Sequence, residues 1–197
     1  SRIFHYGSLS MTHDKNYEAT QYAIQVAKDN GCLISFDPNL RLSLWKTPEE
    51  ARKRILYGMK QCDIMKISEE EVAFVSEQES LEKGVSFIRD NSDIKILFVT
   101  LGNKGSIAYY KDEKIYCGGI HQEHVVDTTG AGDTFCGAVL SRILELGTDA
   151  LTEKDIREML LFANAAASIV VTRKGALCSM PEPEEIRAAS SLIDKVL

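Results

Sequence analysis

Short apolar runs alternate with helix-length amphipathic stretches over the first hundred residues, and few architectures accept that rhythm. Cys32 to Phe36, Asp63 to Ile67 and Lys95 to Thr100 each read as a strand. Between them lie helical patterns with explicit start and stop signals. Asp14 to Asn30 is followed by Gly31 as a C-terminal stop. Thr47-Pro48-Glu49-Glu50 offers an N-cap, a proline at N1 and a glutamate at N3, and predicts a helix running to about Gln61. Ser68 and Glu71 form a second capping-box pattern, and Leu81 to Asp90 forms a further helix. A βαβα order of this kind predicts a mostly parallel sheet with helices on both faces. Ahead of it, Ile3 to Tyr6 reads as a strand running into a Gly7-Ser8 loop.

The rhythm then changes. Ser106 to Tyr110, a turn at Lys111 to Lys114, and Ile115 to Cys117 read as a β-hairpin. Helices follow near Ala131, from Glu153 to about Thr172, and from Glu184. No repeat, low-complexity segment or linker divides the 197 residues, which predicts one α/β domain over 1–197.

The formal net charge of −6 and the absence of any Lys/Arg-rich run argue against a nucleic-acid partner. No apolar stretch reaches membrane-spanning length and no signal peptide opens the chain, so no membrane role is expected. The five cysteines, Cys32, Cys62, Cys117, Cys136 and Cys178, are odd in number and widely spaced, which predicts reduced thiols and a cytoplasmic location. Neither CxxC nor HExxH occurs, so no structural metal site is expected, and a Walker A motif is absent too.

Chemistry concentrates in residues 127–140, DTTGAGDTFCGAVL. Gly130, Ala131 and Gly132 meet Asp133 where an apolar helical pattern begins. A helix's first turn carries unbonded N–H groups and a partial positive charge, and glycine lets an anion approach the backbone closely. A carboxylate beside such a site can take a proton from a hydroxyl attacking phosphorus. The same letters also suit a tight turn with an acidic dipole partner. The whole run resembles the signature of the PfkB, or ribokinase-like, family of carbohydrate kinases. That resemblance implies a three-layer α/β/α fold and ATP-dependent phosphorylation of a sugar hydroxyl. In those terms Asp133 is the base, and Gly130, Ala131 and Gly132 offer N–H groups to developing charge.

Other segments extend the resemblance. In FDPNLRLSLW, Asp37, Asn39 and Arg41 alternate, so an extended chain would point all three the same way. The competing reading is a β-turn, with Arg41 paired to Asp37. The string is similar to the fructokinase branch of the family, with related forms in 2-keto-3-deoxygluconate kinases. There the set lies near the phosphoryl-transfer centre, which implies a catalytic role for Arg41 and substrate contacts for Asp37 and Asn39. Lys66-Ile67-Ser68-Glu69 resembles the family's Asn-x-x-Glu motif, with Glu69 as the glutamate that helps hold Mg²⁺ through water. Lys66 stands where Asn is usual, beside the nucleotide, as in fructokinase-like members.

Thr100, Gly102 and Gly105 suit a turn into the hairpin, and resemble the family's element beside the ATP phosphates. The stretch VVTRKGALCS suits a helix C-terminus. By resemblance, Asp127, Thr129, Val170, Arg173, Gly175 and Ser179 supply oxygens to a monovalent cation, usually K⁺, and Asn164 lies near the nucleotide base. Gly7-Ser8 resembles a pair near the sugar in fructokinases. Trp45 reads as a packing residue beside Leu42 and Leu44, and the four histidines share no catalytic spacing. The resemblance covers nearly the whole chain and matches the C-terminal part of such a kinase. It implies that the first strands, the lid and most sugar contacts lie outside these residues. It further implies fructose as substrate, with 2-keto-3-deoxygluconate, ribose or a nucleoside as alternatives, and a possible homodimer in the complete protein. A non-catalytic nucleotide-binding role is the alternative of a different class.

Overall fold

A computed structural model of the chain describes residues 1–193, with 191–193 as backbone only. The last four residues of the expected 1–197 domain therefore lie outside the described residues. The chain forms two compact units, Ser1–Val99 and a second from Thr100 onward.

In the first unit, strands β1 (Ile3–Gly7), β2 (Leu33–Asp37), β3 (Ile64–Ser68) and β4 (Ile96–Thr100) lie side by side in chain order. β1 and β2 pair in parallel with Gly7 opposite Asp37, and β2 pairs in parallel with β3 through Ser35 and Phe36. The crossovers carry α1 (Asp14–Asp29), α2 (Pro48–Met59), α3 (Glu69–Ser76) and α4 (Leu81–Asp90). The strands are apolar because they are buried: Ile34, Phe36, Met65, Ile67 and Phe98 are fully enclosed. Tyr6 packs against Phe36 with ring centroids 4.8 Å apart and the rings tilted by 31°, and its hydroxyl donates to the Gly58 carbonyl of α2 at 2.9 Å.

The start signals work as read. Thr47 accepts the Glu50 N–H, and Ser68 and Glu71 form a complete capping box. The Gly7-Ser8 loop is instead the entry to a short 3₁₀ turn, Ser8–Met11. Trp45 is buried as expected, although Leu42 and Leu44 are exposed, so the packing comes from elsewhere in the fold.

In the second unit β5 (Gly105–Tyr110) and β6 (Glu113–Gly118) form the antiparallel hairpin. Its turn is two residues, not four, because Tyr110 pairs with Glu113 and Tyr109 with Lys114. Lys111 takes φ 51°, the left-handed geometry that a tight hairpin turn demands. Helices α5 (Ala131–Leu146), α6 (Glu153–Val170) and α7 (Pro183–Ile193) complete the unit. Gly105 opens β5 at φ 107°, and a Cβ there would lie 2.2 Å from the Cys117 carbonyl oxygen. Gly105→Ala is therefore expected to destabilise the second unit by on the order of 2 kcal/mol or more. Urea unfolding followed by near-ultraviolet circular dichroism checks this.

All five cysteines are free thiols, three of them buried. Among the described residues no helix is long and apolar enough to cross a membrane.

Candidate active site

The loops after the parallel strands of the first unit gather one group of the expected site residues, as open α/β sheets do at their carboxyl edge. Gly7 ends β1 and Asp37 ends β2, directly opposite one another. The buried Ser8 spends both its N–H (3.1 Å) and its hydroxyl (2.5 Å) on the Pro38 carbonyl. Asn39 then turns into the left-handed region at φ 45°, and its N–H donates to Asp37 Oδ1 at 3.2 Å. The extended alternation of Asp37, Asn39 and Arg41 is therefore not realised; the turn is, because an Asx carboxylate captures the backbone two residues on.

Arg41 is not the partner of Asp37. Lys66 is, with Nζ at 3.1 and 3.3 Å from the two carboxylate oxygens. The pair is only 3% and 7% exposed. Burial pushes the Asp37 carboxyl up to about 6; Lys66 opposes the rise and the nearby Glu71 adds to it. Arg41 stands exposed at the end of the turn.

Glu69 is the first residue of α3 and is half-buried. Among the described residues no three His, Cys, Asp or Glu side chains cluster closely enough to hold a metal ion. A single carboxylate suits Mg²⁺ that keeps most of its water and takes other oxygens from phosphate, and fits no all-protein cage. Glu71 does more than cap. Its Oε2 accepts the Ser68 N–H at 2.9 Å while Oε1 accepts the Leu40 N–H at 2.7 Å, binding the Asp37–Arg41 turn to the start of α3. Sequence reasoning saw only the cap, because the second partner is 31 residues away and leaves no local pattern.

The second unit holds the other group. Thr100 ends β4 half-buried, and Gly102 lies exposed in the turn Gly102–Lys104. That turn is closed by a bond from the Leu101 N–H to the Gly105 carbonyl, 2.8 Å. Gly130 is the N-cap of α5 with φ 85°, a conformation for which glycine carries little penalty. A Cβ there would come into contact with Ala176 at 3.4 Å, so the constraint is the backbone angle more than space. The Ala131 N–H is already directed at the Thr128 carbonyl at 3.3 Å. This leaves Gly132 and Asp133 as the first-turn N–H groups with no carbonyl behind them in the helix. The Asp133 side chain is exposed.

Asp127 ties this turn to the loop after α6. It accepts the Thr129 N–H at 2.9 Å on Oδ1 and the Gly175 N–H at 3.3 Å on Oδ2. Hydrogen bonds from the Thr129 side chain, then from these two N–H groups, hold its carboxyl below the usual range. Ser179 is buried and donates to the Gly175 carbonyl at 2.5 Å. Arg173 reaches the Ser179 carbonyl at 3.4 Å and Glu185 at 2.5 Å. The Val170 carbonyl accepts the Arg173 N–H at 3.0 Å. The residues expected around a monovalent cation thus share one pair of hydrogen-bonded loops. Asn164 is buried on α6 and fully engaged: its Oδ1 accepts the Ser106 hydroxyl at 2.9 Å, and its Nδ2 donates to the Cys117 and Gly118 carbonyls at 3.2 Å each.

The chain is thus an α/β protein of mostly parallel strands, with an acid at a glycine-capped helix start and a buried Lys66–Asp37 pair across neighbouring strands. Residues 2–183 match the model of the pfkB family of carbohydrate kinases, and the chain belongs to that family. It is 41% identical over 186 residues to fructokinase-1 of Oryza sativa subsp. japonica, covering 93% of this chain and 57% of that protein. It is 40% identical over 183 residues to a probable fructokinase-2 of Arabidopsis thaliana, covering 92% and 55%. The chain thus spans little more than half the length of these relatives. The fructokinase of Vibrio cholerae O395 was solved with fructose, ADP and calcium ion, and a double mutant of it with fructose, ADP and potassium ion. These align at TM-scores of 0.86 and 0.87 and 31% identity, covering 94% of this chain and 59% of theirs. The ribokinase-like α/β class expected from the sequence is the class of these neighbours.

Proposed function

We propose that the chain supplies the nucleotide-binding and phosphoryl-transfer part of an ATP-dependent sugar kinase that converts fructose to fructose 6-phosphate. The observation that carries the reading is Asp133: an exposed carboxylate in the first turn of α5, behind a left-handed glycine, beside N–H groups with no helical partner. Asp133 takes the proton of the attacking primary hydroxyl, and the Gly130–Gly132 turn stabilises the charge that develops. Thr100, Gly102 and Gly105 receive the ATP phosphates, and Arg41 steadies the group in transit. Bound Mg²⁺ would neutralise phosphate charge, with Glu69 holding it through water. Asp127, Thr129, Val170, Arg173, Gly175 and Ser179 would hold K⁺ and so stiffen the anion turn, while Asn164 fixes the hairpin edge near the base. Gly7, Ser8, Asp37 and Asn39 shape the sugar end, and Lys66 stands beside the nucleotide. Phosphoryl transfer asks mainly for positioning and charge stabilisation, which these parts can provide. The identity of the relatives, named as fructokinases, supports fructose over ribose, 2-keto-3-deoxygluconate or a nucleoside.

The test is a coupled ADP-release assay on the intact protein over a panel of these acceptors. Fructose is expected to give the highest kcat/KM. A different best acceptor overturns the substrate, and ATP binding without turnover on any acceptor overturns the kinase reading in favour of a binding role.

A further inference from the structure

The Asp37–Arg41 turn is pinned residue by residue. Ser8 holds the Pro38 carbonyl, Asp37 holds the Asn39 N–H, and Glu71 holds the Leu40 N–H. The pins stop at Arg41. Its carbonyl accepts the Leu44 N–H at 2.9 Å, while its side chain is exposed and makes no ion pair among the described residues. The third pin is the unusual one. A capping box needs one carboxylate oxygen, and the other commonly faces water. Here the whole residue is 9% exposed and the second oxygen is spent on a backbone N–H from another loop. A buried carboxylate is tolerated only where its oxygens are bonded, so the Leu40 contact is built into the packing. It is also shorter than the Asp37–Asn39 bond in the same turn, 2.7 against 3.2 Å.

We infer that Glu71 is a positioning residue: by holding Leu40 it sets where the neighbouring Arg41 guanidinium stands. The inference rests on the kinase reading above, in which Arg41 steadies the transferred group. Glutamine in place of Glu71 keeps the size but offers one acceptor oxygen, so it can satisfy Ser68 or Leu40 and not both. Ser68→Ala is the matched control. It removes the hydroxyl cap of α3 and leaves both Glu71 carboxylate bonds to backbone N–H groups available.

Three readouts on the intact protein decide it. Glu71→Gln is expected to speed amide hydrogen exchange at Leu40 by about tenfold or more, because its acceptor is lost or shared. It is expected to lower kcat by on the order of tenfold to a hundredfold with KM for ATP little changed, as misplaced groups do. In an Arg41→Ala background the same substitution is expected to have no further effect on kcat. Ser68→Ala is expected to lower the melting temperature while leaving Leu40 exchange and kcat near the parent values. Unchanged Leu40 exchange in Glu71→Gln overturns the inference, as does an equal loss of kcat in both backgrounds. Absence of turnover in the unaltered protein overturns the kinase reading and this inference with it, whereas turnover with unaltered exchange overturns this inference alone.

Discussion

Asp133→Asn is expected to lower kcat by about a thousandfold to ten-thousandfold while nucleotide affinity changes little, because a positioned base contributes roughly 10²–10⁴ and the amide also removes the local charge. Asparagine preserves volume and first-turn geometry, so the helix start survives. It cannot accept a proton from an alcohol near neutral pH. Single-turnover measurement of sugar phosphate formation gives the rate, and calorimetry with a non-hydrolysable ATP analogue gives the affinity. Turnover near the parent rate would remove Asp133 as the base. A large loss of nucleotide affinity would instead make the residue part of the phosphate cradle. Asp133 is exposed and sits behind Gly130 at φ 85°, so substitution there carries little cost in stability.

Much of this was legible because local signals carry local structure. Thr47-Pro48 and Ser68 with Glu71 mark two helix starts, and both caps form. Leu81–Asp90 is read with its true bounds, and Ser80 caps it by accepting the Lys83 N–H. What escaped depends on partners distant in sequence. Asp37 and Asn39 read equally as an extended strand end or a turn, and the choice is made by an Asx bond and by Ser8, 30 residues away. The pairing of Asp37 with Lys66 rather than Arg41 follows from the parallel register of β2 and β3, in which Phe36 faces Met65, and no spacing within either segment encodes it. Asn164 shows the same gap. One residue of a helix is bonded to both strands of a hairpin 46 to 58 residues earlier, and the linear pattern displays only an amide among alanines. The hairpin turn was read two residues too long because its polar letters, Lys111 to Lys114, look like loop while the backbone pairs through them.

Lys66→Met carries the second large expectation. Removing the ammonium leaves the Asp37 carboxylate buried beside Glu71 with no cation, and breaking such a pair costs about 3–5 kcal/mol. The pH dependence has a definite sign. Asp37 titrates near 6 in the folded protein against 3.8 for the ordinary side chain, so the folded state binds the proton more tightly. Below pH 4 the group is protonated in both states and costs nothing. As pH climbs from about 4 to about 6 its contribution to stability falls, by an amount of order 3 kcal/mol, and then levels. Without Lys66 the folded carboxyl titrates higher still, so the loss continues past the parent's plateau and the difference between variant and parent widens toward neutral pH. Urea unfolding of both proteins at intervals between pH 4 and 8 tests this. A difference that stays constant over that range would mean that Asp37 is not the group left stranded. The double substitution Asp37→Asn with Lys66→Met is expected to recover most of the loss, because it removes the unpaired charge along with its partner. If it recovers stability but not turnover, the buried pair serves the proposed reaction and not only the fold.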